Sequence, residues 1–487
     1  MRKTTWLVLA PALVLAGCSD EAPPLPAEPS AIDNVSIGTV AATPALVRQL
    51  AEARGIGPLP RPAAVRPALV RLGQMLTFDR ILSGNRDISC GTCHLPAFAT
   101  GDGKSLSVGQ GAVGLGPERT HPRGVFIPRN APPLFNLGAM KHLFWDGRVQ
   151  LAGQRRVRTP AGEKVSRDMA RVFEFGPISA LGLFPVTNRA EMRANSGNEL
   201  AEIPDNEEPR IWSALMQRLG AVPEYRRMFE AAYPGQRFDD MNFAHASNAI
   251  AGFLVARLTF ADSPWDRFLA GQDDALTPSQ LDGAQTFLTL KCSICHSGST
   301  FSDEQFHNVA VAQIGPGQGN GASGHDDFGR MNVTGFEADR YRFRSTPLRN
   351  VELTGPYGHD GAILTLREFV EHYSESDKKL LEFDPSRLEP ALRGTLLPNA
   401  HAILAQRDTL LKGVVLPDTL VNKLMAYMSA LTDATARNLG SITPDRVPSG
   451  LPVDRPNARA ITDAHVASRS LRARCPSLPA DRQSRCP

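Results

Sequence analysis

The sequence has no run of basic residues with interleaved aromatic side chains, and its 53 Lys and Arg residues are nearly balanced by 50 Asp and Glu residues. A formal net charge of +3 gives no support to a nucleic-acid partner, and none is expected. The sequence also has no alternating apolar and polar run long enough to predict a substantial β-strand. A chain of 487 residues without such runs is expected to fold as mainly α-helical domains with long loops.

An apolar stretch at residues 6–15 is too short to span a bilayer. It follows a short basic segment and precedes the letters LAGC, which resemble a bacterial lipobox ending at Cys18. We therefore predict a signal peptide at 1–17, a lipid on Cys18 and a tether over 18–43. These features predict a lipoprotein anchored to the periplasmic side of a bacterial membrane. The alternative is an ordinary signal peptide with an incidental cysteine.

Four of the seven cysteines form two CxxCH motifs. They are Cys90, Cys93 and His94 in the first motif, and Cys292, Cys295 and His296 in the second. In c-type haem attachment both thiols add to vinyl groups of the porphyrin, and the adjacent histidine ligates the iron. A thioredoxin-like site would not need the histidine, and a zinc site would need ligands from both pairs together. We therefore predict two covalently bound c-type haems.

The two remaining cysteines near the C-terminus, Cys475 and Cys486, lie in a polar tail. In an oxidising compartment they are expected to close a short loop as a disulfide. The alternative is a disordered tail with free thiols.

The wide separation of the motifs predicts two cytochrome c-like domains, each with one covalently bound haem. We assign 44–260 to the N-terminal, peroxidatic haem domain, 261–436 to the C-terminal, electron-transfer haem domain, and 437–487 to a tail. A helix begins before the second motif, because residues 277–280 (TPSQ) form a capping box with proline at the first helical position. Amphipathic helices are predicted at two further places, 242–260 and 418–434.

Several further stretches resemble the bacterial di-haem cytochrome c peroxidase family, which includes MauG. They are residues 129–132 (RNAP), 144–148 (FWDGR), 191–192 (EM) and 348–361, which ends in PYGHDG. Their order and approximate spacing fit the family over residues 70–375. The resemblance implies that hydrogen peroxide reacts at the N-terminal haem to form a high-valent haem. It also implies that electrons come from a small redox protein, a cytochrome c or a cupredoxin, or from a protein substrate.

The resemblance assigns roles to individual residues. His94 and His296 match the proximal iron ligands, and Trp145 matches the tryptophan that lies between the haems and couples them. Glu191 matches the distal acid of the peroxide site, and Gln154 resembles a second polar group of that pocket. The alternatives are an ordinary core aromatic for Trp145 and a solvated carboxylate at a helix start for Glu191.

A calcium ion between the domains is also implied by the resemblance. Asn130, Thr354 and Pro356 match the residues that hold it, the last two through backbone oxygens. Hard oxygen ligands from loops suit calcium. A simple turn contact is the alternative for Asn130.

Two departures from the family concern the first haem. Peroxidases of the family place a histidine after the first CxxCH motif that blocks the iron until the other haem is reduced, whereas this chain has Gln110 there. His121 lies farther along in a different context. Pro185 matches the apolar distal residue of MauG and has no donor atom in its side chain. We infer that the first haem is five-coordinate without reductive activation.

A third departure concerns the second haem, where the classical peroxidases of the family supply a distal methionine. This chain has Tyr373 at that place, on a helix that starts with a capping box at Thr365 and Glu368. The resemblance to MauG implies that the tyrosine ligates the iron, because a phenolate favours higher iron oxidation states than a thioether does. His372, Met331 and a core tyrosine without a ligand role remain alternatives.

The chain has insertions relative to the family at 155–180, 195–210 and 375–415, and the tail from about 437 lies outside the resemblance. A dihaem electron-transfer cytochrome without catalytic activity is the alternative function, with Met140 and Met331 as conceivable distal ligands. A haem-based sensor is a third possibility.

Overall fold

The computed structural model describes residues 41–123, 125–153 and 156–456. The α-helices are α1 (Pro44–Ala53), α2 (Pro67–Phe78), α3 (Cys90–Cys93), α4 (Arg167–Arg171), α5 (Pro177–Leu181), α6 (Glu208–Gly220), α7 (Pro223–Ala232), α8 (Phe243–Arg257), α9 (Pro264–Leu269), α10 (Pro278–Thr289), α11 (Cys292–Cys295), α12 (Met331–Thr334), α13 (Leu366–His372), α14 (Ser376–Leu381), α15 (Ala400–Ala405) and α16 (Asp418–Ala430). The strands are β1 (His142–Leu143), β2 (Val149–Ala152), β3 (Arg156–Arg158), β4 (Phe306–His307) and β5 (Phe343–Arg344).

The prediction of a mainly α-helical chain is confirmed. Predicted functional residues outside the described part are Cys18, Gln154, Cys475 and Cys486.

The strands form two small antiparallel sheets. One has the order β1-β2-β3, with His142 opposite Gln150 and Gln150 opposite Arg158. The other pairs β4 with β5 and sets Phe306 opposite Arg344. No helix among the described residues has the length and apolar character needed to cross a membrane.

The larger hydrophobic core is built around α2 and α8. A Cβ atom at Gly73 of α2 would lie 1.9 Å from the carbonyl oxygen of Ala249, so the two helices approach at van der Waals distance through this glycine. Every residue from 243 to 255 of α8 is buried. The helix predicted at 242–260 is confirmed as α8, but its predicted amphipathic character is wrong, because neighbouring elements cover residues 243–255 on all sides. Each fully buried Leu or Phe side chain stabilises such a core by about 1.5–3 kcal/mol.

A second core forms where α1, α10 and α16 pack together. Gly283 permits the close approach of α10 to α16, because a Cβ atom there would lie 2.1 Å from the carbonyl oxygen of Lys423. The predicted capping box of α10 is confirmed, with Gln280 N donating to Thr277 Oγ1 at 3.3 Å and Thr277 N donating to Gln280 Oε1 at 3.0 Å. Helix α1 falls within the range assigned to the N-terminal domain, yet its apolar face packs on this second core.

Two segments outside the family resemblance pack onto this frame. The insertion 375–415 contributes Leu388, Leu392 and Ile403 to two small apolar clusters that it shares with residues 310–314. The described part of the predicted tail returns to the first core and buries Leu439 and Val447 there. Both segments therefore take part in the described fold.

Candidate functional site

The two CxxCH motifs have the same local geometry. Each cysteine pair spans a single helical turn, α3 or α11, and the histidine follows as its C-terminal cap. Nδ1 of His94 lies 2.9 Å from the carbonyl oxygen of Thr100, and Nδ1 of His296 lies 3.0 Å from that of Phe301. A carbonyl oxygen only accepts, so each Nδ1 carries the proton and each Nε2 keeps its lone pair for a metal.

The thiols of both motifs are available for chemical attachment. All four cysteines are partly buried, and none of them forms a disulfide. Burial raises the pKa of Cys90 to about 11 and that of Cys292 to about 12, so both thiols are neutral. Burial also lowers the pKa of His94 and His296, which keeps their imidazoles neutral as iron ligands require. These residues fit one c-type haem at each motif.

Glu191 lies beside the first motif. It sits on the π-helical turn Arg189–Arg193, and Asn188 Nδ2 donates to its Oε1 at 2.9 Å. Burial raises the pKa of Glu191, while the more distant charges of Arg148 and Arg129 lower it. The carboxylate in turn raises the pKa of Cys90 and Cys93, so it lies within electrostatic range of both thiols. A buried carboxyl group whose pKa is raised in this way suits a role in proton transfer.

The loop that carries Gln110 packs under the Glu191 turn. A Cβ atom at Gly109 would lie 1.9 Å from the carbonyl oxygen of Ala190, so the approach needs glycine. Gln110 Nε2 donates to Asp87 Oδ1 at 2.7 Å and to the carbonyl oxygen of Met192 at 2.9 Å. Its side chain is therefore bound to the protein next to Glu191 through two hydrogen bonds.

Pro185 begins the 3-10 turn Pro185–Thr187, which packs against the Glu191 turn. It is only partly buried, and its side chain carries no hydrogen-bonding or ligating atom. Met140, the ligand conceivable for the first haem in an electron-transfer cytochrome, is 3% exposed and belongs to the first apolar core.

Trp145 bridges segments from both halves of the chain. Its Nε1 donates to the carbonyl oxygen of Asn130 at 2.9 Å, and its own carbonyl accepts from Arg344 N at 2.9 Å. The residue after Arg344, Ser345, donates through Oγ to the carbonyl oxygen of Cys295 at 3.1 Å. A short chain of hydrogen bonds therefore connects Trp145 to the second motif.

Buried arginines surround this bridge. Arg129 donates to Asp327 at 2.6 and 2.8 Å and to Asp146 Oδ2 at 2.6 Å. Burial alone would raise the pKa of Asp146, but Arg129 and Arg148 hold it at about 2. Arg344 differs, because among the described residues it bonds only to backbone carbonyl oxygens, those of Phe144 and Ser345. It is 5% exposed, so it can pair with an anionic group of a bound molecule.

The second motif has Tyr373 nearby. Burial raises the pKa of Tyr373, and the charges of Cys295 and Cys292 raise it further, which places the phenol within electrostatic range of both thiols. The neighbouring His372 is 3% exposed and its Nε2 lies 2.7 Å from the carbonyl oxygen of Val309. Because a carbonyl oxygen only accepts, Nε2 of His372 carries the proton and donates it to the backbone of Val309. Met331 opens the short helix α12 and is partly buried.

A small cavity of about 10 Å³ lies where the calcium site was predicted. The lining residues are Gly101, Asp102, Gly103, Asn130, Ala131, Pro133, Thr354 and Gly355. Asn130 and Thr354 are thus brought together, as the resemblance implied, whereas Pro356 is not among the lining residues. The residues fit a calcium ion, since carboxylate, amide and backbone oxygens all border the space.

Comparison with known proteins agrees with this arrangement. The family described as di-haem cytochrome c peroxidase matches residues 67–274. Cytochrome c551 peroxidase of Pseudomonas aeruginosa is 32% identical over 301 residues, which cover 61% of this chain and 69% of the relative. The chain belongs to the bacterial di-haem cytochrome c peroxidase and MauG family.

Other members of the family are also similar. Methylamine utilization protein MauG of Paracoccus denitrificans is 29% identical over 416 residues, covering 79% of this chain and 93% of that protein. A crystal structure of a MauG-like protein associated with microbial copper homeostasis has a TM-score of 0.55 and 25% identity. The match covers 80% of the present chain and 96% of the MauG-like protein. At the level of the family, the chain is a peroxidase-type oxidoreductase.

The sequence analysis missed a charged cluster beside the second motif. His307 Nε2 lies 2.9 Å from Asp303 Oδ2, its Nδ1 lies 2.7 Å from Asp408 Oδ2, and Cys295 Sγ is 4.0 Å from Nδ1. Burial alone would lower the pKa of His307, but the two carboxylates raise it to about 12. Both ring nitrogens therefore carry protons in this charged cluster, whose Cys295, Asp303 and His307 atoms lie within 4.8 Å of one another. The sequence gives no local signal for this cluster, because Asp408 lies in the insertion 375–415, 101 residues from His307.

Proposed function

We propose that the protein binds one c-type haem covalently at each CxxCH motif and uses hydrogen peroxide at the first haem to oxidise a redox partner or a protein substrate. The observation that carries the proposal is the placement of Glu191, a buried carboxyl group with raised pKa, within electrostatic range of Cys90 and Cys93. The haem supplies the iron at which peroxide is reduced. The chain supplies a proton-transfer group and orients the imidazole.

The residues around the first motif support an iron that is open on its distal side. Gln110, which stands where the family has the blocking histidine, is bound to Asp87 and to the carbonyl of Met192. The side chain of Pro185 has no atom that could ligate iron. Glu191 is positioned to take the proton from hydrogen peroxide and to return it to the leaving oxygen, which promotes heterolysis of the O–O bond.

The second motif favours the MauG-like branch of the family. Tyr373 is the ligand that we assign to the second haem, because the Nε2 of His372 is directed to Val309. Trp145 links the two halves by hydrogen bonds and is assigned to couple the haems. Arg344 is assigned to a haem propionate, since it is a buried cation whose hydrogen bonds among the described residues go to backbone carbonyl oxygens, with Glu304 as a more remote charge. The electron donor is a small cytochrome c or cupredoxin, or a side chain of a protein substrate.

The proposal includes the export and anchoring predicted from the N-terminus. Cys18 carries the lipid, and the protein faces the periplasm. Labelling with a radioactive fatty acid tests this, because a Cys18→Ser variant loses the label if the lipobox assignment is correct. Retention of the label by that variant would remove the assignment.

The enzyme assignment is tested first by low-temperature EPR of the oxidised protein as isolated. One high-spin and one low-spin ferric signal are expected, because Tyr373 would ligate the second iron and no side chain is assigned to the distal side of the first. Two low-spin signals would instead support the electron-transfer cytochrome.

Peroxide turnover provides the second test. Glu191→Gln keeps the shape of the side chain and removes its proton-transfer capacity, so kcat/KM for peroxide should fall by about 100-fold or more. The matched control is Glu163→Gln, at an exposed position in the 3-10 turn Gly162–Lys164, and it should retain wild-type turnover. Equal turnover in both variants would remove Glu191 from the mechanism.

A further inference from the structure

The cavity between Asn130 and Thr354 contains a charge that the family resemblance did not assign. Of its eight lining residues, only Asp102 has a charged side chain. A space of about 10 Å³ admits about one water-sized sphere, which is also the scale of a single metal ion. A cavity this small with one carboxylate on its wall suits a cation better than an organic ligand.

The Asp102 carboxylate is buried and only half satisfied. The residue is 1% exposed, and its Oδ1 accepts a hydrogen bond from Lys104 N at 3.0 Å. Its Oδ2 has no hydrogen bond of normal distance and angle among the described residues. The Ser107 hydroxyl also lacks such a bond, but it lies close enough to Asp102 to lower the pKa of the carboxyl, which burial raises. The ammonium group of Lys104 is bonded to Glu389 instead. An anion buried in this way requires a cation or additional donors.

The neutral groups around the cavity have oxygen atoms available as ligands. Asn130 Nδ2 donates to the carbonyl oxygens of Lys104 and Ser105 at 2.9 and 3.2 Å, so the amide nitrogen is occupied and the amide oxygen is the atom left for a cation. The hydroxyl of Thr354 donates to the carbonyl oxygen of Val351 at 3.1 Å, so the backbone carbonyl of Thr354 is the oxygen left for a ligand. Calcium takes such hard oxygens in flexible geometry, and its affinity depends on how many of them are charged.

We propose that Asp102 supplies the negatively charged oxygen of a calcium site that it shares with Asn130 and Thr354. This inference rests on the calcium ion that the family resemblance implies, and adds a ligand to it.

The position of Asp102 in the chain connects the calcium site to the first CxxCH motif. Thr100, two residues before Asp102, holds Nδ1 of His94 through its carbonyl oxygen and accepts Leu134 N through Oγ1 at 2.8 Å. A cation bound by Asp102 therefore stabilises the loop that orients the proximal histidine of the first motif.

The test measures calcium affinity of the holoprotein with a competing fluorescent chelator, without peroxide. Wild-type protein should bind about one calcium ion per chain and unfold at a higher temperature when calcium is added. Asp102→Asn should weaken calcium affinity by about tenfold or more, because it removes the charged ligand and keeps the shape. The control Asp168→Asn removes an exposed carboxylate paired with Arg171 and should bind calcium as the wild type does.

The outcomes separate the two levels of the inference. If Asp102→Asn binds calcium as tightly as the wild type, Asp102 is not a ligand. If the wild type binds no calcium, the calcium site itself is wrong, while peroxide turnover and its dependence on Glu191 stand or fall by their own assay. Because a buried variant can fail to fold, the wild type also provides a direct readout. Calcium should shift an aspartate carboxylate band in the infrared difference spectrum, and an unchanged carboxylate region would overturn the proposal.

Discussion

Asp454, close to the end of the described chain, accepts a hydrogen bond from the hydroxyl of Thr92. Thr92 lies between Gly91 and Cys93 in the first CxxCH motif. The two residues are 362 positions apart in sequence. The same carboxylate accepts from Ser89 Oγ at 3.3 Å and forms an ion pair with Arg80. A segment outside the family resemblance therefore holds the helical turn α3 in place.

The first prediction concerns the stability that this contact contributes. Asp454→Ala should lower the free energy of unfolding by about 3 kcal/mol, because it leaves Arg80 and Thr92 without their buried partner. Urea unfolding of the holoprotein measures the change. Asp445→Ala is the control, since Asp445 is fully exposed and pairs with Arg455 at the surface, and no measurable change is expected there. Similar effects of both substitutions would contradict the assignment.

The second prediction concerns the pH dependence of turnover. Burial raises the pKa of Glu191 above its ordinary value of 4.5. If Glu191 accepts the peroxide proton, kcat/KM should rise with pH as this carboxyl ionises, at a pH displaced upward from 4.5. The Glu191→Gln variant should lack this limb of the profile. A wild-type limb centred at the ordinary pKa, or one that persists in the variant, would assign the titration to another group.

Protonated Glu191 should also affect stability in a defined direction. Its folded-state pKa exceeds the unfolded value, so the folded state binds the extra proton between the two values. Its contribution to stability is therefore fully present below the unfolded pKa and is lost as pH rises through the folded pKa. The difference in unfolding free energy between wild type and Glu191→Gln should follow this course in urea titrations at several pH values.

The third prediction concerns His307, whose pKa is raised to about 12. The stabilisation that it gains from Asp303 and Asp408 should be complete below its ordinary pKa of 6.5 and should decline as pH rises towards the folded value. His307→Gln should therefore be most destabilising at pH 6 and less so at higher pH. It should also expose the insertion 375–415 to proteases, because Asp408 loses its hydrogen bond to His307 and keeps only the longer ion pair with Arg342. A stability difference that grows with pH would contradict this charge assignment.

The fourth prediction distinguishes the ligands of the second haem. Tyr373→Phe should change the optical and EPR spectrum of one haem, because it removes the phenol that lies within range of Cys292 and Cys295. His372→Gln should leave the haem spectra unchanged, since the Nε2 of His372 lies 2.7 Å from the carbonyl oxygen of Val309. The reverse pattern would assign His372 as the ligand, and a change in neither variant would direct attention to Met331.

Much of the local structure could be predicted because it depends on residues close together in sequence. The capping boxes of α10 and α13 form as predicted, since the side chain of each first residue caps a backbone amide three positions away. The CxxCH motifs are likewise local, because the spacing of two thiols and an imidazole defines the chemistry before any tertiary contact forms. The burial of α8 could not be predicted in the same way, because its environment is set by elements from elsewhere in the chain.

The sequence by itself determined the two haem-attachment motifs, the mainly helical fold and the family, because these depend on residue types at short, regular spacing. Only the tertiary structure decided the partners of the site residues. Asp454 reaches Thr92, Asp408 reaches His307, and Asp102 meets Asn130 and Thr354, through loops whose course is set by two hydrophobic cores. Such contacts leave no periodic signal in the sequence, since each depends on the packing of distant segments and not on the order of neighbouring residues.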